Sequence, residues 1–419
     1  MFSAIVCAPN GKMCTGRIVY PQFYNISFEC AEEHNPSETE THVLKIGVIG
    51  GGQLARMMMP AAINLALDVR VLAETPGSPA EIGASAVGDY RDLDTVLTFA
   101  RDVDVITFDH EHVPQPVLAA LVATGVRVHP GPQALLYAQD KLLMRAKLSE
   151  LGLPTPEWAE VRSAAELQVF LDAHGGAGVL KTPRGGYDGK GVRVVRSSAE
   201  ATDWFTAVAE SGDTGSLLVE ELVDFTRELA LLGARRPGGE SAYWPVVETI
   251  QRYGVCAEVL APAPNSDGAV AAEAERIARA LADGLGITGV FAVELFETTD
   301  GRVLVNEMAM RPHNSGHWTQ DGSITSQFEQ HLRAVADLPL GATTPRAPIT
   351  VMANILGGPL EGTLGDRYPQ VMAEFPDAKI HNYNKAPRPG RKVGHINLTG
   401  ADLESVRERA RAIESRFQG

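Results

Sequence analysis

A chain of 419 residues, 44% hydrophobic and 21% charged, has the composition of two or three globular domains with ample core. Its net charge of −15 argues against non-specific nucleic-acid binding but leaves room for a local basic site that takes an anionic small molecule. No apolar run approaches the length of a membrane span, the N-terminus lacks a leader pattern, and four cysteines are too few for a disulfide framework, so a cytoplasmic protein without membrane or nucleic-acid partners is expected.

Residues 1–44 mix prolines, asparagines and scattered apolar residues without a period, which predicts a poorly ordered extension. Cys7, Cys14 and Cys30 fall within it at spacings that match no zinc pattern. From Lys45 the pattern sharpens into a buried strand, a glycine turn and a helix to about Leu67. Gly50, Gly52 and Ala55 fit the dinucleotide fingerprint with Ala in third place, and Glu74, closing the strand at 69–73, falls where a ribose-binding acid sits. Taken alone, this unit supports an NAD(P)-binding oxidoreductase. Strands at 103–108 and 126–129, separated by helical patterns, predict a parallel Rossmann-like sheet over 45–137. Asp109-His110-Glu111-His112 follows a strand, where open α/β sheets place ligand contacts. With no further ligand evident, its histidines read better as a polar loop than as a metal site.

Asp140 and Lys141 open an amphipathic helix that stops at Gly152-Leu-Pro-Thr-Pro, and a central domain over 138–340 is expected to begin here. After a helix at 164–174, residues 179–195 read as strand, glycine loop, strand. Gly185, Gly186, Gly189 and Gly191 allow close backbone approach, and bare N–H groups flanked by Lys181 and Lys190 suit phosphate oxygens. A Walker loop needs Ser or Thr after its lysine and then a helix; here Gly191 and a strand follow Lys190, so 181–192 reads as a flap. Taken alone, this stretch reads better as a glycine-tipped surface hairpin; features elsewhere in the chain change that. Glu220 and Glu221 end a strand at 217–222, where they either meet a nucleotide or stay solvated.

Residues 290–297 and 302–309 alternate as strands around Asp300-Gly301, a type I′ turn signal. A two-residue turn sets Thr299 against Arg302 and, counted back, Glu294 opposite Glu307 on one face. Two carboxylates about 5 Å apart repel by roughly 3 kcal/mol at an effective dielectric near 20, so a hard cation is expected between them. Oxygen ligation favours Mg²⁺, with Mn²⁺ as the alternative. A slipped register or a shared proton is the competing reading. His313 and His317 have helical zinc spacing, but Pro312, Asn314, Ser315 and Gly316 between and beside them form loops, which points to polar recognition. After a helix at 326–336 and a linker at 341–348, the last domain (346–419) carries Arg388, Arg391 and Lys392 in a Pro/Gly-stiffened loop, a candidate phosphate clamp.

With these motifs in place, the chain from Lys45 onward resembles the ATP-grasp superfamily and, within it, the 5-(carboxyamino)imidazole ribonucleotide synthetase family of bacterial purine biosynthesis. The resemblance rests on Gly-Gly-Gln-Leu at 51–54, Gly-Gly-Tyr-Asp-Gly-Lys-Gly at 185–191, Asn306-Glu307, His-Asn-Ser-Gly-His-Trp-Thr at 313–319 and Arg-Pro-Gly-Arg-Lys-Val-Gly-His at 388–395, in family order. It implies an α/β chain of three domains: Rossmann-like, ATP-grasp and a small β-rich C-terminal domain. The implied reaction is the ATP- and bicarbonate-dependent carboxylation of 5-aminoimidazole ribonucleotide through carboxyphosphate.

The resemblance also implies residue roles. Lys141, Lys181 and Gly185, Gly186, Tyr187, Asp188, Gly189, Lys190 and Gly191 hold ATP phosphates, with Asn306 beside them. Glu220, Glu221, Leu222 and Val223 meet adenine, Glu228 meets ribose, and Glu294 with Glu307 binds Mg²⁺. Gly52, Gln53, Leu54, Glu111, Asn314, Ser315, His317, Lys385, Arg388, Arg391 and Lys392 surround the ribonucleotide, with Tyr187, Asp188, Arg311 and Lys385 in catalysis. Gln251 and Ala309 depart from family nucleotide and metal contacts. Another ATP-grasp ligase or a non-catalytic nucleotide sensor is compatible with the same motifs, and a homodimer is left open.

Overall fold

The computed structural model describes residues 43–186, 191–211, 215–266 and 268–418, and the backbone of 3–7 and 13–17. The chain divides into two units, Met1–Val43 and Leu44–Gly419. In the first, Ser3–Cys7 and Met13–Arg17 pair antiparallel, from Ser3↔Arg17 to Cys7↔Met13. The sequence expectation for residues 1–44 is a poorly ordered extension, and the pairing describes the backbone of these two segments alone.

The second unit opens with a five-stranded parallel sheet in the order 84–87, 68–73, 45–49, 105–108, 127–128. Lys45–Ile49 is apolar on both faces because helices cover both, as a parallel sheet requires. Gly50, at φ +108°, turns the chain from that strand into the helix Gln53–Asn64. That helix buries Leu54, Ala55, Met57, Met58 and Met59.

The rest is antiparallel. A four-stranded sheet runs 192–195, 178–181, 217–221, 158–161, so the flap's two arms lie at its edge. Thr182 N–H donates to Gly191 O at 2.9 Å across the flap base, where Gly191 adopts φ +69°. A nine-stranded sheet runs 303–309, 289–298, 225–235, 247–252, 255–261, 349–356, 392–400, 379–382, with 241–243 beside 225–235. The C-terminal strands therefore continue the central sheet through Val255–Ala261 and Ile349–Leu356. The sequence expectation of a small β-rich C-terminal domain does not include this continuity, because pairing between segments this far apart leaves no local signature. Among the described residues, no helix is long and apolar enough to cross a membrane.

The hairpin holding the two glutamates differs from expectation in an instructive way. Glu297 pairs with Val303, and Thr298 N–H donates to Arg302 O, so the loop has three residues, ending in Gly301 at φ +83°. That register alone would place Asn306 opposite Glu294. A bulge then inserts Asn306, the pairing shifts by one, and Glu307 faces Glu294. The expected pair is present, but through two one-residue departures that cancel.

Candidate active site

Side chains of paired residues project to the same face of a sheet. Glu294 pairs with Glu307 on one side and Ala230 on the other, so Glu228, two residues from Ala230, shares that face. The consequence is electrostatic: burial first, then Glu307 and Glu228, raises the Glu294 carboxyl to about 7. Burial also raises Glu228, while Gln251 Nε2 donates to Glu228 Oε2 at 3.2 Å, which is where the Gln251 departure leads. Lys141 Nζ contacts Glu307. Asp140 orients that lysine's helix by accepting from Leu142 N–H and Leu143 N–H at 3.0 and 3.1 Å.

Among the described residues, no group of three or more His, Cys, Asp or Glu side chains could hold a metal by itself. Two facing carboxylates are nevertheless what Mg²⁺ takes when substrate phosphates complete its shell. His313 lies 3.5 Å from Glu294. Burial, then Arg311 and Lys392, depresses it to about 3, so it meets Glu294 as a neutral imidazole.

Lys181 Nζ lies 2.6 Å from Glu220 Oε2 and donates to Asn306 Oδ1 at 3.4 Å. Glu220, 2% exposed, also accepts from Arg145 Nε at 2.6 Å. Its carboxylate is thus enclosed between two cations rather than solvated. Glu221 Oε1 accepts from Glu157 N–H at 3.1 Å, Leu222 is exposed, and Val223 follows in the connecting loop. Arg145 was not legible as a site residue: a lone cation on an amphipathic helix reads as a solvated face. Gly185 and Gly186 lead into the flap tip, whereas Tyr187, Asp188, Gly189 and Lys190 lie outside the described residues.

At the N-terminus of helix Gln53–Asn64, Gly51 N–H donates to Glu74 Oε2 at 2.9 Å and Ala55 N–H to Asp109 Oδ1 at 2.7 Å. A Cβ on Gly52 would fall 1.9 Å from Asp109 Oδ2, so any side chain there would displace the Asp109 carboxylate from Ala55 N–H. Hydrogen bonding from His110, with Gly51 N–H, lowers the Glu74 carboxyl to about 2 despite burial. Two of the chain's own carboxylates thus occupy the helix end that a dinucleotide pyrophosphate would use, which argues against the oxidoreductase reading.

The C-terminal loop closes on the same helix. Lys385 Nζ contacts Gln53 Oε1, and Arg56 Nε donates to Asn382 O at 3.1 Å. Arg388 and Arg391 form the turn above, with Arg391 N–H donating to Arg388 O at 2.9 Å; Arg388 is exposed, Arg391 and Lys392 half-buried.

Four residues expected around the ribonucleotide are turned inward. Leu54 packs in the core. Glu111 accepts from Arg311 Nε at 2.7 Å and Met310 N–H at 3.3 Å. Ser315 is 1% exposed and bonds His313 Nδ1 at 2.9 Å. His317, wholly buried, bonds Gln327 Nε2 at 2.8 Å. The short turn Asn314–Gly316 folds the last two under the sheet, and Asn314 exchanges amide hydrogen bonds with Asn354 at 3.1 and 2.8 Å.

Three family models match the chain: the ribonucleotide synthetase preATP-grasp domain over residues 43–139, the ATP-grasp domain over 146–328, and the phosphoribosylaminoimidazole carboxylase C-terminal domain over 350–409. The N5-carboxyaminoimidazole ribonucleotide synthase of Mycobacterium bovis is 50% identical over 384 residues, covering 91% of this chain and 89% of that one. That of Corynebacterium ammoniagenes is 47% identical, covering 90% and 92%. Among solved structures, the Thermus thermophilus N5-carboxyaminoimidazole ribonucleotide synthetase superposes with a TM-score of 0.79 at 37% identity, covering 89% of this chain and 98% of that one. The Aspergillus clavatus N5-carboxyaminoimidazole synthase in complex with ADP and 5-aminoimidazole ribonucleotide gives 0.79 at 32%, with the same coverage.

Proposed function

The chain belongs to the N5-carboxyaminoimidazole ribonucleotide synthase family of ATP-grasp ligases, and from that premise we propose how its residues divide the reaction. It carboxylates 5-aminoimidazole ribonucleotide to the N5-carboxyamino product in purine biosynthesis, consuming ATP. We place this reaction in the cytoplasm. The observation that carries the division of labour is the facing Glu294–Glu307 pair with Lys141 against it and Lys181 beside Asn306.

Lys141, Lys181 and the flap backbone hold the ATP phosphates, the 220–223 connection lies along the adenine, and Glu228 takes the ribose. Glu294 and Glu307 would hold Mg²⁺, which would supply charge neutralisation for the transferring phosphoryl group. Bicarbonate oxygen attacks the γ-phosphorus and the bond to ADP breaks, giving carboxyphosphate. Arg311, fixed on Glu111 and within the electrostatic reach of Glu307 and Asp109, steadies that anion. The exocyclic amine of the ribonucleotide then attacks the carboxyl carbon, directly or as released CO₂. Phosphate leaves and the amine proton passes to Asp188 in the flap. Lys385, Arg388 and Arg391 grip the ribonucleotide from the C-terminal loop, and flap closure keeps water from carboxyphosphate.

The test is ATP turnover with Mg²⁺ and bicarbonate, with and without the ribonucleotide. Strong stimulation by 5-aminoimidazole ribonucleotide with formation of its carbamate is expected. Stimulation by formate or an amino acid instead would move the chain elsewhere among ATP-grasp ligases, and binding without turnover would make it a nucleotide sensor.

A further inference from the structure

Arg145 lies one helical turn after Lys141 and has no solvent exposure. Its guanidinium donates from Nη1 to Val305 O at 3.0 Å, from Nη2 to Asn306 O at 2.7 Å and from Nε to Glu220 Oε1 at 2.6 Å. The two carbonyls belong to the bulge that interrupts the ladder between Gly289–Thr298 and Val303–Ala309. Glu220, through its other oxygen, contacts Lys181 at 2.6 Å. One rigid fork of donors therefore spans the bulge on one side and the lysine's partner on the other, a geometry an ammonium cannot reproduce.

The bulge matters because strand registers are discrete. Without it, the pairing nearer the turn continues, Asn306 stands opposite Glu294, and Glu307 rotates to the other face. We propose that Arg145 is the positioning residue of the nucleotide-metal site: it pins the Asn306 bulge that brings Glu307 opposite Glu294 and, through Glu220, fixes the Lys181 ammonium. This rests on the reading that Lys181, Glu294 and Glu307 hold the metal-nucleotide.

The full-length protein is compared as wild type, Arg145→Lys and Glu220→Gln, with Arg407→Met as a control, since Arg407, on the helix Leu403–Gln418, pairs with buried Glu258 of the strand Val255–Ala261. In metal-free protein, hydrogen exchange of the peptide spanning 303–309 is faster in Arg145→Lys and unchanged in the control. The affinity for ADP in Mg²⁺, read by titration calorimetry, and the Mg²⁺ concentration for half-maximal turnover both worsen about 10–100-fold in Arg145→Lys. The ribonucleotide KM stays at the wild-type value. Glu220→Gln, which keeps shape and leaves the bulge contacts, weakens ADP while exchange at 303–309 stays near wild type; it remains informative if Arg145→Lys does not fold. A lowered melting temperature in Arg145→Lys with wild-type exchange, ADP affinity and Mg²⁺ response overturns the inference, as does Glu220→Gln with unaltered ADP affinity. Wild-type turnover of Glu307→Gln would instead remove the underlying reading.

Discussion

Glu294→Gln isolates the role of the carboxylate pair, because it preserves volume and removes one charge. Glu294 and Glu307 face each other across a strand pair, and two charges about 5 Å apart repel by roughly 3 kcal/mol at an effective dielectric near 20. The raised carboxyl agrees in direction: burial, Glu307 and Glu228 lift Glu294 from 4.5 to about 7. An acid whose folded pKa is raised holds its proton more tightly when folded. Its contribution is therefore full below 4.5 and is lost as pH rises through about 7. Metal-free Glu294→Gln should accordingly melt above wild type at pH 8, by about 4 °C for a chain of this length, and the gain should vanish as pH is lowered toward 4.5. With Mg²⁺ and ATP the order reverses, since only wild type gains the metal-nucleotide, and turnover of the variant falls about 100-fold or more. Scanning calorimetry in EDTA across pH, followed by ATP turnover in Mg²⁺, reads both. A variant that melts below wild type at pH 8, or keeps wild-type turnover, refutes the reasoning.

Glu111→Gln releases the Arg311 guanidinium while preserving shape; kcat should fall about 100-fold with the KM for ATP unchanged, and an effect confined to the ribonucleotide KM would make Glu111 a substrate ligand instead. Arg391→Ala should raise the ribonucleotide KM about 10–100-fold and leave that for ATP in place, as loss of one charged phosphate hydrogen bond implies; equal losses for both substrates would mean the loop is structural. Deleting residues 1–43, a unit apart from 44–419, should leave the melting temperature and turnover essentially unchanged, and a fall of several degrees would show that it packs on the rest.

Much of the fold was legible because its signals are local. The parallel strands carry apolar runs between helical periods, and helices begin at caps such as Asp140, Ser163 and Ser326. The misses are non-local. Nothing near Ile349 announces that its strand extends the central sheet beside Val255–Ala261. Loop formers around Asn314 and His317 announce a turn but not which face packs inward. Arg145 looks like any helical cation because its acceptors lie 160 and 161 residues away. The Glu294–Glu307 pair shows the limit most clearly: counting from an assumed two-residue turn reaches the right partner only because the Asn306 bulge offsets the longer loop.

In the proposed reaction bicarbonate, not water, takes the γ-phosphoryl group. Turnover in ¹⁸O-bicarbonate with 5-aminoimidazole ribonucleotide and analysis of the released inorganic phosphate by mass spectrometry tests it most directly. An attack by bicarbonate oxygen on phosphorus leaves one labelled oxygen in each phosphate, in step with carbamate formed. Phosphate that carries no label while carbamate accumulates would contradict it.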